Sequence, residues 1–140
     1  MGSEPQVIEL MLASSLKSVD RAEALANEVS GKAGFEEDDR HRIGMAVHEA
    51  VINAIRHGNK EDASKRVRLV FRIFPDRLEI EIRDQGPGFE LARLADPLEA
   101  DNLLKTSGRG IFLVRSFVDE FRVRQIEGAG TEVTLVKRKN

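Results

Sequence analysis

The chain has 140 residues with 22 Lys plus Arg against 24 Asp plus Glu, a formal charge of -2, and it contains no cysteine, tryptophan or tyrosine. That length suits one domain, of the order of 100 to 200 residues, with a core large enough to need no metal or disulfide staple. The composition excludes a disulfide framework, a cysteine zinc site and a thiol nucleophile, leaves the cytoplasm as the default location, and lacks the basic excess and stacking aromatics that nucleic-acid binding requires.

Residues 1–5, Met-Gly-Ser-Glu-Pro, read as a disordered or appended start, and the domain is expected over residues 6–140. Gln6 to Ala13 is a short apolar run with strand character. Ser18 to Lys32 carries Val19, Ala22, Leu25, Ala26 and Val29 at three- and four-residue steps, one helical face closed by Gly31 and Gly34. Glu36 to Asp39 places four carboxylates where they complement the start of a second helix. Its apolar stripe, Ile43, Ala46, Val47, Ala50, Val51 and Ala54, runs to His57-Gly58. Val67, Leu69, Phe71 and Ile73 alternate with their neighbours, as do Leu78, Ile80 and Ile82 beyond Pro75-Asp76, which predicts two strands joined by a turn. Gly86 to Gly108 has no sustained period and reads as a mobile lid over Phe89 to Ser107. A helix with Ile111, Val114 and Val118 follows, then a hairpin of Phe121 to Ile126 and Glu132 to Lys137 around Gly128-Ala129-Gly130. This order predicts an α+β two-layer sandwich, a mostly antiparallel sheet with helices on one face. No apolar run reaches the ~18 residues of a membrane span, and no signal peptide is evident.

The common phosphate-loop, dinucleotide and helical metal-site motifs are missing. His41, His48 and His57 lack the four-residue pairing of a helical metal site. Glu49 and Asn53 are four apart and project from successive turns along one edge of the second helix. Taken alone, such a pair is an ordinary solvated helix flank. Asp84-Gln85-Gly86-Pro87-Gly88-Phe89 sets an acid at a strand end before two glycines, which suits an ordinary turn or a close approach to a ligand. Gly108-Arg109-Gly110 opens an apolar helix, either as a flexible start or as backbone N–H groups aimed at an anion. The three elements occur in one chain and in one order.

Together these residues resemble the GHKL ATPase superfamily. His48-Glu49-Ala50-Val51-Ile52-Asn53-Ala54-Ile55-Arg56-His57-Gly58 is similar to its N box, Asp84 to Phe89 to its first glycine box, Gly108 to Leu113 to its second, and Gly130-Thr131 to its last. Within it, the chain most resembles the anti-sigma-factor serine/threonine protein kinases of the RsbW and SpoIIAB type. The resemblance implies a Bergerat-type ATP-binding fold with ATP and Mg2+ as cofactors. It implies Glu49 as general base, Asn53 as Mg2+ ligand, and Asp84, supported by Thr131, as acceptor of the adenine amino group. Gly86 and Gly88 would shape the adenine side, and Gly108 and Gly110 would bring N–H groups to the phosphates. Arg109 stands where several relatives carry an apolar residue, and either reaches the γ-phosphate or faces solvent. The implied partners are an anti-sigma-factor antagonist of the STAS type, a sigma factor and a second copy of the chain. Val70 and Phe74, on the strand face opposite Leu69 and Phe71, are candidates for association. The alternative function is a nucleotide-gated binding module that transfers nothing, for which Glu49 would be dispensable.

Overall fold

The computed structural model describes residues 4–86, 110–126 and 130–139. The expected lid, and with it Gly88, Gly108 and Arg109, lies outside the described residues. In chain order the elements are β1 (Gln6–Ala13), α1 (Lys17–Lys32), α2 (Glu37–Asn53), a π-helical turn (Ala54–Gly58), β2 (Arg66–Ile73), β3 (Arg77–Arg83), α3 (Gly110–Phe117), β4 (Glu120–Ile126) and β5 (Gly130–Arg138). The strands form one antiparallel sheet in the order β1-β2-β3-β5-β4.

Register explains why the helices cover one face. Ile8, Phe71, Ile80, Leu135 and Phe121 lie opposite one another across the five strands, and Leu10, Leu69, Ile82, Val133 and Val123 form the next row. Because side chains alternate along a strand, these apolar rows share a face. All of them but Val123 meet Val19, Ala22, Ala26 and Val29 of α1, Ile43, Ala46, Val47, Ala50 and Val51 of α2, and Val114 of α3 in one core. Complete burial of a Leu, Ile or Phe contributes roughly 1.5 to 3 kcal/mol each. The small Ala residues at the contact let α1 and α2 approach the sheet and each other. Among the described residues no helix is long and apolar enough to cross a membrane.

The opposite face of the sheet is charged. Arg68 pairs with Glu9 at 2.9 Å, Arg72 with Glu81 at 2.7 Å and Arg124 with Glu132 at 3.2 Å, each across neighbouring strands. Val70 sits in the row of Glu9 and Glu81, on the face expected, but is only 1% exposed. Phe74 is half-buried under the Arg77 guanidinium, 3.9 Å from its ring centre. The apolar side chains exposed on this face are instead Val7 at 53% and Met11 at 48%, both on the edge strand β1.

The second helix departs from the simple stripe. Periodicity runs unbroken through Ala54 to Gly58, yet the chain widens after Asn53: the Asn59 N–H donates to Ala54 O, five residues back, at 2.8 Å. One extra residue per turn keeps Ala54 and Ile55 in the core while swinging Gly58 and Asn59 toward the end of β3. Such widened turns recur at functional positions in helices.

Candidate functional site

Asp84 follows the last residue of β3 and is 3% exposed. Its backbone N–H donates to Thr131 O at 3.0 Å, which continues the β3–β5 ladder past the end of the strand. Its carboxylate Oδ1 accepts the N–H of Gly86 at 3.0 Å and that of Thr131 at 3.2 Å. Both donors use Oδ1, so Oδ2 is the oxygen left for a ligand. Burial pushes the Asp84 carboxyl above the ordinary carboxylate value, and the N–H groups of Thr131 and Gly86 pull it part of the way back. A desolvated carboxylate with one oxygen fixed is a strong, directed acceptor.

Glycine is required around it by space. A Cβ on Gly58 would overlap Asp84 Oδ2, and one on Gly86 would overlap the Gly58 carbonyl. Gly130 has φ +100°, and a Cβ there would run into the Asp84 backbone. The turn after α2, the end of β3 and the start of β5 therefore meet backbone to backbone, with the carboxylate between them.

Asn59 completes this junction, and sequence reasoning missed it. It is 1% exposed, its Oδ1 accepts the Gln85 N–H at 2.7 Å, and its Nδ2 donates to Ser14 Oγ at 2.8 Å and Arg66 O at 3.0 Å. The only signal in the sequence was an Asn directly after a helix-closing Gly, a pattern that serves equally well as a plain helix stop.

Glu49 and Asn53 occupy the last turns of α2. Glu49 is half-buried, and Asn53 is 7% exposed with its Oδ1 buried and without a hydrogen-bond partner among the described residues. A buried amide oxygen left unpaired costs of the order of 1 to 3 kcal/mol, and each such group calls for an explanation such as an ion or water. His57, in the widened turn, is held below its ordinary pKa by burial and by the neighbouring Arg56 charge, both of which favour the neutral ring. α3 begins at Gly110 and packs on α2 through the buried Val114 side. The structure thus gathers Asp84, Gly86 and Thr131 by hydrogen bonds, places Glu49 and Asn53 on the helix leading into the same junction, and sets Gly110 at a helix start against that helix.

The histidine kinase-like ATPase domain family matches residues 12–137. Among curated proteins, the serine-protein kinase RsbW of Staphylococcus epidermidis is 32% identical over 144 aligned residues, covering 98% of this chain and 89% of that protein. The serine-protein kinase RsbW of Bacillus licheniformis is 34% identical over 118 residues, covering 80% of this chain and 72% of that one. That of Bacillus subtilis is 27% identical over 140 residues, covering 96% and 88%. A crystal structure of the RsbU and RsbW domains of a Mycobacterium tuberculosis protein superimposes with a TM-score of 0.69 at 18% identity, over 95% of this chain and 32% of that longer one, and so shares the fold. With its strand-end carboxylate, glycine junction and helix-borne Glu and Asn lying inside the matched segment, the chain belongs to the histidine kinase-like ATPase domain family.

Proposed function

We propose that the protein is an ATP-dependent serine/threonine protein kinase that acts in the cytosol as an anti-sigma switch, phosphorylating a STAS-type antagonist and alternately holding a sigma factor. The observation that carries the nucleotide reading is Asp84: a buried carboxylate with Oδ1 committed to two backbone N–H groups and Oδ2 left toward Gly58. That geometry suits an exocyclic amino group, which brings an N–H donor to a desolvated acceptor. The kinase identity of the RsbW relatives supports the transfer step.

The orphaned Asn53 Oδ1 fits a hard cation. Among the described residues no three His, Asp or Glu side chains gather as a metal cluster. A cation here would take a single amide oxygen from the protein and complete its shell with phosphate oxygens and water, which is the habit of Mg2+. When bound, Mg2+ would neutralise charge on the phosphates. Gly110, and Gly108 before it, would offer backbone N–H groups to those phosphates, and Arg109 between them would add a cation. In the transfer itself, the substrate Ser or Thr oxygen bonds to the γ-phosphorus as the bond to the β–γ bridging oxygen breaks and ADP leaves. Glu49 takes the hydroxyl proton.

Asn53→Ala tests the cation assignment. Its oxygen has no partner to lose among the described residues, so the fold should persist, while Mg2+-dependent ATP affinity falls roughly tenfold or more. Titration with ATP in Mg2+ and in EDTA would check this, and an unchanged Mg2+ dependence would remove Asn53 as a ligand.

A homodimer belongs to the same proposal. Val70 is covered, so the supporting surface is the β1 edge, where Val7 and Met11 stand exposed on a strand that ends the sheet among the described residues. Light scattering should report about twice 15.6 kDa, and a strictly monomeric mass at high micromolar concentration would remove the dimer.

A further inference from the structure

We propose that Asn59 is a positioning residue that sets the selectivity of the Asp84 site for a purine bearing an exocyclic amino group, an inference that rests on the adenine reading of Asp84. One buried side chain joins four parts of the fold. Oδ1 holds the Gln85 N–H at 2.7 Å, and Nδ2 reaches Ser14 Oγ, just past β1, at 2.8 Å and Arg66 O, opening β2, at 3.0 Å. The Ser14 hydroxyl, itself in a residue 5% exposed, donates onward to Lys65 O at 2.7 Å. Asn59 is in turn fixed to the widened end of α2 by its own N–H on Ala54 O.

Gln85 lies between Asp84 and Gly86, whose N–H is one of the two donors that hold Asp84 Oδ1. Anchoring the Gln85 N–H therefore fixes the direction of the next N–H, and through it the rotation of the carboxylate that leaves Oδ2 at Gly58. The Gln85 side chain closes the clamp from the other side, its Oε1 accepting the Arg66 N–H at 2.6 Å. Asparagine meets this demand where other residues fail. Asp has no donor for Arg66 O, Ser and Thr are too short to span three partners, and an apolar residue leaves the Gln85 N–H unmatched.

A second observation points to the same junction. Lys60 and Glu61, the two residues after Asn59, have φ of 53° and 56°, in the left-handed region. Side-chain-bearing residues hold such conformations where the surroundings over-determine them, and they cluster at functional sites. Here the surroundings are the Glu61 N–H on Ile55 O at 2.8 Å and the Asp62 N–H on Asn59 O at 3.0 Å. The strained turn delivers the Asn59 side chain into the site and returns the chain to β2.

The test compares equilibrium binding of ATP and inosine triphosphate, in which an oxo group replaces the 6-amino group, to the parent, Asn59→Ala and Ser14→Ala proteins, with thermal unfolding alongside. The parent should prefer ATP. Asn59→Ala should lower the ATP-to-inosine-triphosphate ratio about 3- to 10-fold, the equivalent of one released hydrogen bond. Ser14→Ala, whose hydroxyl bonds Asn59 and Lys65 rather than the Asp84 turn, should lower the ratio about 2-fold in the same direction. A merely structural Asn59 would lower the melting temperature and leave the ratio untouched. A parent without preference would overturn the adenine reading. A discriminating parent beside folded variants that keep its ratio would overturn the role of Asn59 alone. If Asn59→Ala does not fold, a parental ratio in Ser14→Ala overturns it.

Discussion

Glu49→Gln is expected to bind Mg2+ and ATP as the parent does and to phosphorylate its protein substrate about 10²- to 10⁴-fold more slowly. The substitution keeps the size of the side chain and its half-buried place on α2, and removes only the capacity to take a proton. Glu49 precedes Asn53 by four residues, so the proposed base and the proposed cation ligand stand one turn apart on the same edge of one helix. A substrate hydroxyl placed beside the γ-phosphate of a nucleotide bound at that cation would lie within reach of Glu49. Phosphoryl transfer depends on positioning as well as on proton removal, which is why a residual rate should survive. Steady-state transfer assays beside calorimetric ATP titrations would separate the two effects. A parental transfer rate would mean that Glu49 takes no proton, and the reading of a nucleotide-gated binding module would then gain.

Asp84→Asn should cost roughly 10- to 150-fold in ATP affinity, the worth of a hydrogen bond to a charged acceptor. Two backbone N–H groups point at the Oδ1 position, so the amide must place its oxygen there and its NH2 group where Oδ2 stands. The nucleotide's amino donor then meets a donor. Stability should not suffer: burial holds the carboxyl above its ordinary pKa, so the ionised form is disfavoured in the folded state, and a neutral amide relieves that cost. The same shift sets a pH dependence in the parent. ATP affinity should weaken as pH falls through the raised Asp84 value, sooner than an ordinary carboxylate near 3.8 would allow. Unchanged affinity in a folded Asp84→Asn protein would sink the adenine assignment.

Much of the architecture was legible because two periods carried it. The alternation of Leu69, Phe71, Ile80 and Ile82 and the three- and four-residue steps of Ile43, Val47, Ala50 and Val51 map onto the single core. Within the candidate site, Asp84 and Gly86 stood out as an acid before a glycine turn, and the structure brings them to Thr131 through backbone N–H groups. The roles of Gly58 and Asn59 were not legible. They depend on the turn after Asn53 being wider than an α-helix, and the stripe of small and apolar residues there reads the same for either geometry. Val70 shows the converse limit: alternation gave its face correctly but not its burial to 1% exposure, on a face where the register sets it between Glu9 and Glu81, which pair with Arg68 and Arg72.

Transfer of phosphate from ATP to a hydroxyl on another protein is the activity on which the other expectations depend. Incubating it with γ-labelled ATP, Mg2+ and STAS-type antagonist proteins, followed by mapping of the labelled residue, tests that directly. Label is expected on a Ser or Thr of one antagonist, dependent on Mg2+ and lowered roughly 10- to 150-fold with Asp84→Asn at limiting ATP. Saturated nucleotide binding with no label on any antagonist would contradict it.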